Sequence, residues 1–98
     1  MKLVRDGYEQ GRGFTLRKVD SRLEHIQLLK DKIHEELLEL LSARTRDDAA
    51  VESGDLIEAI ICYGRINWGL SEGRIFEDRD RKSDKLGDFT KGTVWVEG

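Results

Sequence analysis

The longest helical pattern in this sequence is SRLEHIQLLKDKIHEELLELLSA, residues Ser21–Ala43. Ser21 stands three residues before Glu24, which is the spacing of a capping box at a helix N-terminus. Apolar residues then recur every three or four positions, the period of one face of an α-helix. The pattern therefore predicts a first helix over Ser21–Ala43, with a core stripe formed by Leu23, Ile26, Leu29, Ile33, Leu37, Leu40 and Leu41.

A second helix is predicted directly after the first. The polar stretch Arg44–Asp48 interrupts the apolar spacing, and Asp47 has the side chain of an N-cap residue. We predict a helix over Asp48–Trp68 that ends at Gly69. Because the connection is short, the two helices should pack as an antiparallel hairpin.

The rest of the chain predicts one more helix and two short strands. Ser71 is a candidate cap for a highly charged third helix, Glu72–Leu86, which Gly87 should end. FTLRKV (Phe14–Val19) alternates apolar and polar residues, and TVWVE (Thr93–Glu97) has the composition of a strand. We predict two short extended terminal segments that could pair with each other.

Composition limits the class of protein. The chain has 98 residues, which is one domain at most, with 38% hydrophobic and 38% charged residues, as in a soluble helical protein. A net charge of −3 argues against a large basic face for duplex nucleic acid. Cys62 is the only cysteine, so no internal disulfide can form, and the N-terminus lacks an apolar signal core. We expect a cytoplasmic protein with no membrane-spanning segment.

Five carboxylates lie in two short clusters within the apolar helical segments. Glu35, Glu36 and Glu39 are in the first helix, and Glu52 and Asp55 are in the second. Spacings of three and four residues place each cluster on one side of its helix. Burying unpaired carboxylates is costly, and at the matching place the first helix is expected to offer acids rather than bases. The clusters therefore predict a divalent-metal site, although a solvated acidic face is the alternative, above all for Glu35.

These residues resemble a known family. EELLE (Glu35–Glu39) and ESGD (Glu52–Asp55) match the EExxE…ExxD signature of the all-α nucleoside triphosphate pyrophosphohydrolases, which include MazG-like, phosphoribosyl-ATP pyrophosphohydrolase-like and dimeric dUTPase-like enzymes. KLVRD (Lys2–Asp6) resembles the KLVRDKIP opening of a single-domain MazG-like subfamily, and KLGDFTKG (Lys85–Gly92) its glycine–aromatic segment. The chain departs from the family pattern after KLVRD and at Gly54, inside ExxD.

The resemblance implies a reaction and a set of site residues. The reaction is Mg²⁺-dependent cleavage between the α and β phosphates, giving a nucleoside monophosphate and pyrophosphate, with Mn²⁺ as a possible substitute. Such an enzyme would clear unwanted nucleotides from the pool. Glu35 or Glu36 would accept a proton from the attacking water. The metal ligands would be Glu36, Glu39, Glu52 and Asp55, and the basic residues for the polyphosphate Lys2, Arg5, Lys82 and Lys85.

The apolar surface of the helices predicts a homo-oligomer. The second helix is apolar nearly all round, and Leu28 and Leu38 lie outside the core stripe of the first. We predict an all-α fold in which the hairpin and third helix assemble into a homodimer with a four-helix core, or into a homotetramer. Two alternative functions remain: a nonenzymatic helical dimerisation or regulatory module with a structural metal, and a phosphoribosyl-ATP pyrophosphohydrolase.

Overall fold

The chain folds into three helices within residues 1–97, the part that the computed structural model describes. They are α1 (Arg22–Leu41), α2 (Arg46–Trp68) and α3 (Glu72–Leu86). There is no strand in the same range. None of these helices has an apolar stretch long enough to cross a bilayer. The all-helical class that the sequence predicts is confirmed.

The start of α1 follows the predicted cap. Ser21 Oγ accepts a hydrogen bond from the Glu24 backbone N–H at 3.1 Å. The Glu24 carboxylate accepts from the backbone N–H of Asp20 at 2.9 Å, one residue before the position of an ideal capping box. The helix ends at Leu41, two residues before the predicted Ala43.

The start of α2 lies earlier than predicted. Thr45, not Asp47, is the N-cap, and its Oγ1 accepts from the Asp48 backbone N–H at 3.1 Å. Asp47 instead lies in the first turn, where a negative charge favours the positive end of the helix dipole. The connection between α1 and α2 has the predicted length of four residues but lies two residues earlier, at residues 42–45.

The first two helices form the antiparallel hairpin. At its open end the Arg22 guanidinium donates to the Asn67 carbonyl oxygen at 2.9 Å, so the start of α1 lies beside the end of α2. The hairpin core is small, and its buried apolar residues are Ile26, Leu28, Leu29, Ala59 and Ile61. The predicted core stripe of α1 was wrong in part: Leu28, placed outside it, is buried, whereas Leu23, Leu37 and Leu41, placed in it, are exposed.

The third helix packs only on the end of α2. Its predicted bounds and its Ser71 cap are confirmed, and Gly69 ends α2 with a φ of +64°. A Cβ at Gly64 would lie 3.0 Å from Ile75 Cδ1, so glycine there permits the close contact between the two helices. No residue of α3 is buried, and its contacts with the other helices of residues 1–97 are all with α2.

Both predicted strands were wrong. Phe14–Val19 and Thr93–Glu97 have no regular structure. The alternating pattern is present, but a strand needs a neighbour to satisfy its backbone N–H and C=O groups. Phe14 is exposed, and so are Val94, Trp95 and Val96.

Candidate metal and nucleotide site

Three glutamates meet where α1 and α2 approach their connection. Each of Glu36, Glu39 and Glu52 has a carboxylate oxygen within 4.8 Å of the others. Glu36 and Glu39 are three residues apart and share one side of α1, while the short connection brings Glu52 of α2 against them. We call these three residues the glutamate cluster.

The glutamate cluster is buried on one side and open on the other. Glu36 is only 7% exposed, Glu52 is half-buried and Glu39 is exposed. Oε2 of Glu36 and Oε2 of Glu52 are shielded from solvent and accept no hydrogen bond from any residue between 1 and 97. A buried oxygen without a donor is costly, and each of these atoms is free to bind a cation. Several carboxylate oxygens at one point form the donor set that hard divalent cations prefer.

Crowding of the three carboxylates changes the protonation of Glu52. Contact with the Glu39 carboxyl is the largest cause, followed by burial and by contact with Glu36, and together they raise the pKa of Glu52 to about 7. Like charges at this distance disfavour ionisation, so a proton is held near neutral pH. A divalent cation would relieve the same repulsion.

A lysine that the sequence analysis missed lies beside the glutamate cluster. Lys32 Nζ is 3.1 Å from Glu35 Oε2 and 3.6 Å from Glu36 Oε1. The expectation that α1 offers only acids at this place was therefore wrong. Lys32 precedes Glu36 by four residues, a spacing that could have identified it. Its hydrogen bond is the main reason that the pKa of Glu35 lies below the ordinary value.

The N-terminal segment supplies two more cations. Arg5 Nη2 lies 2.5 Å from Asp55 Oδ1, and Lys2 Nζ lies 3.2 Å from Glu35 Oε1. Asp55 was predicted as a fourth metal ligand. In the structure it is paired with Arg5, and it does not belong to the group of carboxylates that the glutamate cluster forms. We call residues 1–8 the N-terminal arm.

The arm and the hairpin enclose an open cleft of about 710 Å³. Its acidic and basic lining includes Arg5, Lys32, Glu36 and Asp55, and also Asp6, Glu58 and Arg65. Apolar side chains line the same cleft, among them Leu29, Ala59, Cys62 and Ile66. A cleft with both charged and apolar side chains suits a ligand that has both an anionic and an apolar part.

The other two predicted substrate residues lie elsewhere. Lys82 and Lys85 are exposed on the second half of α3. Helix α3 contacts Gly64, near the end of α2. Glu52 and Asp55 lie in the first half of α2, away from this contact. Within residues 1–97 of one chain, the structure brings Lys2 and Arg5 to the acids but not Lys82 or Lys85.

Comparison with known proteins gives no match for this chain among protein-family models, curated proteins or solved structures. Its likeness to the pyrophosphohydrolases therefore rests on the quoted motifs alone. What the site can do follows from its own residues. Three glutamates meet there, and two of their oxygens lack a hydrogen-bond donor within residues 1–97. Lys2 and Arg5 of the arm pair with the nearby Glu35 and Asp55.

Proposed function

We propose that this protein is a Mg²⁺-dependent nucleoside triphosphate pyrophosphohydrolase that releases a nucleoside monophosphate and pyrophosphate. The observation that carries the proposal is the glutamate cluster with its two buried oxygens that lack a donor. Exposed acidic groups are common without a metal, but a glutamate that is only 7% exposed and has an unsatisfied oxygen calls for a cation. Clearing unwanted nucleotides is the role that we propose for the reaction.

The residues present fit a hard divalent cation. Glu36, Glu39 and Glu52, with Asp55 nearby, would hold Mg²⁺, and Mn²⁺ would substitute for it. When bound, the ion would neutralise the polyphosphate and increase the acidity of a water molecule. The exposed side at Glu39 leaves a path for the ion and its phosphate ligands.

We assign the proton-accepting role to Glu35 rather than Glu36. The free oxygen of Glu36 is buried in the glutamate cluster, where it is needed as a ligand. Glu35 is half-buried next to the cluster, and Lys2 and Lys32 hold both of its oxygens in a defined position. These lysines lower the pKa of Glu35, Lys32 most of all, so Glu35 is ionised at neutral pH; the same shift makes it a weaker base, and the assignment rests on its position beside the cluster.

The arm is suited to binding the polyphosphate. Lys2 and Arg5 lie beside the acids and are mostly exposed, so their cationic groups can reach a phosphate in the cleft. Arginine binds phosphate oxygens with two parallel N–H donors. Lys82 and Lys85 would take part only if a second subunit brought them near.

We also propose that the chain forms a homodimer or homotetramer. One chain leaves several apolar side chains of the hairpin exposed, namely Leu37, Leu38, Leu41, Val51, Ile57 and Ile60. Apart from its chain neighbours and the adjacent backbone of its own helix, no heavy atom of residues 1–97 lies within 4 Å of a Cβ built on Gly54, so no other helix approaches closely there within the chain. Light scattering on the purified protein would give its mass, and a monomer would contradict this part of the proposal.

The experiment that tests the function is a pyrophosphate-release assay. Canonical and modified ribo- and deoxyribonucleoside triphosphates, together with phosphoribosyl-ATP, are offered with Mg²⁺ and with EDTA. We expect release with Mg²⁺ only, loss of release in Asp55→Ala, and normal release in Asp80→Ala, a matched change on exposed α3. No release from any nucleotide, with Mg²⁺ still raising the melting temperature, would favour the nonenzymatic module with a structural metal.

A further inference from the structure

The basic groups of the arm, which we propose bind the polyphosphate, are paired with acids of the same site. Arg5 holds Asp55 at 2.5 Å and Lys2 holds Glu35 at 3.2 Å, across 50 and 33 residues of sequence. While these contacts last, neither cation is free for a phosphate, Oδ1 of Asp55 is occupied, and the charge of Asp55 is already neutralised by Arg5. Arg5 and a divalent ion are therefore competitors for one carboxylate.

The charges of the site make such an exchange possible. Glu35, Glu36, Glu39, Glu52 and Asp55 carry five negative charges when ionised, and Lys2, Arg5 and Lys32 carry three positive ones, which leaves −2. Asp6, Glu58 and Arg65 line the same cleft and add one further negative charge, so a divalent ion would reduce a net negative charge there. An added polyphosphate would bring new negative charge, and the arm is the nearest source of cations that can move.

The three cations differ in how firmly they are held. Lys32 belongs to α1 and its side chain is only 21% exposed. Arg5 and Lys2 lie on a segment without regular structure, and their side chains are 64% and 67% exposed. An ion pair this exposed contributes little to stability and can be broken without unfolding the helices.

We propose that Arg5 is an internal counter-ion: it occupies Asp55 while the site holds no divalent ion, and it leaves Asp55 for the polyphosphate once the site is loaded. The inference rests on the proposed function, because it takes the glutamate cluster as a metal site. It adds that the arm has two positions and that metal loading selects between them. Lys32 stays on Glu35 and Glu36 in both positions.

The test is a double-mutant cycle on Mn²⁺ affinity, measured by isothermal titration calorimetry without any nucleotide. The variants are Arg5→Ala, Asp55→Asn and the double variant, and Arg12→Ala is the control for loss of one positive charge in the same N-terminal region. If Arg5 competes for Asp55, Arg5→Ala should bind Mn²⁺ about three- to tenfold more tightly than wild type. This gain should vanish when Asp55 is already Asn, and Arg12→Ala should change affinity less than twofold.

An equal gain from Arg5→Ala in both backgrounds would overturn the exchange, because Arg5 would then act only as a nearby charge. That result leaves the proposed function intact. Absence of Mn²⁺ binding to wild type would overturn both the exchange and the metal site.

A second readout follows the arm directly. Backbone ¹⁵N heteronuclear NOEs of residues 3–8 should fall when Mg²⁺ is added, because Arg5 is released from Asp55, and should be low with or without Mg²⁺ in Arg5→Ala. Unchanged values in wild type at saturating Mg²⁺ would contradict release of the arm. Residues of α3 serve as the internal reference.

Discussion

The glutamate cluster and helix α3 both carry many charges, but they arrange them differently. In α3 the acids face bases one turn away: Arg74 pairs with Asp78 at 2.8 Å, and Arg81 pairs with Glu77 and with Asp78, each at 2.7 Å. All of these side chains are about half or more exposed. The cluster instead brings three acids together, with two oxygens shielded and unsatisfied.

In α3, water and neighbouring side chains already satisfy the charged groups. In the glutamate cluster, two carboxylate oxygens are shielded from water and accept no hydrogen bond from the part of the chain that the structure describes. Exposed pairs at i,i+3 and i,i+4 contribute a few tenths of a kcal/mol each and explain α3 without further partners. Lys32 does not suffice for the cluster, because Glu36 Oε2 and Glu52 Oε2 remain without a donor. We propose that the ligand of these oxygens is a divalent cation.

The largest expected effect comes from Glu36→Gln. Removing a ligand that is needed for the metal should lower pyrophosphate release by roughly 100-fold or more, equivalent to about 3 kcal/mol of transition-state stabilisation. The matched change Glu77→Gln on α3 should leave the rate within about twofold. Circular dichroism would check that both variants are folded. An equal loss of pyrophosphate release in both would mean that the glutamate cluster and α3 do not differ in function.

Glu35→Gln should separate catalysis from metal binding. A proton acceptor contributes about 10²- to 10⁴-fold, so kcat should fall by at least about 100-fold. Mn²⁺ affinity should stay within a few-fold of wild type, because Glu35 is engaged by two lysines and is not in the cluster. A large loss of Mn²⁺ affinity would instead make Glu35 a ligand and return the proton-accepting role to Glu36.

Lys32→Met should destabilise the metal-free protein by about 1–3 kcal/mol, since it leaves the buried Glu36 carboxylate without its cation. Urea denaturation in EDTA measures the loss, and saturating Mg²⁺ should recover part of it. Lys82→Met on α3 is the control, with a change within about 0.5 kcal/mol. A stability unchanged by Lys32→Met would show that the cluster does not need this lysine.

The pKa of Glu52 predicts how metal-free stability depends on pH. Its pKa is about 7 in the folded chain against an ordinary 4.5, so the folded state binds more protons between these values. Stability should therefore fall as pH rises from about 4.5 to about 7, and should lose no more through Glu52 above that. Glu52→Gln should flatten this part of the profile, measured by urea denaturation in EDTA. An equally steep profile in the variant would assign the dependence to other groups.

The smallest effect is expected on α3. Arg81→Ala removes two exposed ion pairs and should change the free energy of unfolding by no more than about 0.5 kcal/mol. The change should shrink further in 0.5 M salt, which screens exposed charges. A loss above about 1.5 kcal/mol would mean that the charges of α3 stabilise the fold, and α3 would then not differ from the glutamate cluster in this respect.

Much of the helical scaffold could be predicted from local sequence. Ser21 and Ser71 have the side chains that helix starts require, and Gly69 and Gly87 stop the helices where expected. The start of α2 was misplaced because Thr45 and Asp47 are both good caps and only the folded chain selects one. The strands failed for a different reason: alternation in Phe14–Val19 says which side chains share a face but supplies no neighbouring strand.

Helix periodicity predicted the acids of the site, and the KLVRD resemblance named Lys2 and Arg5 without saying which acids they contact. Spacing placed Glu36 and Glu39 on one side of α1, and the short connection brought Glu52 to them. Arg5 and Asp55 are 50 residues apart, and Arg5 lies in a segment without regular structure. No helical or strand spacing therefore predicts their contact. Lys32 could have been predicted from the same helical spacing, because it precedes Glu36 by four residues.

The measurement that tests the central claim most directly is Mn²⁺ binding to wild type, Glu52→Gln and Glu77→Gln, followed by calorimetry at pH 8. If the glutamate cluster is a metal site, wild type and Glu77→Gln should bind Mn²⁺ with the same affinity, and Glu52→Gln should bind at least about tenfold more weakly. Binding that is equal in all three proteins, or absent from all three, would contradict the claim that these glutamates hold a divalent cation.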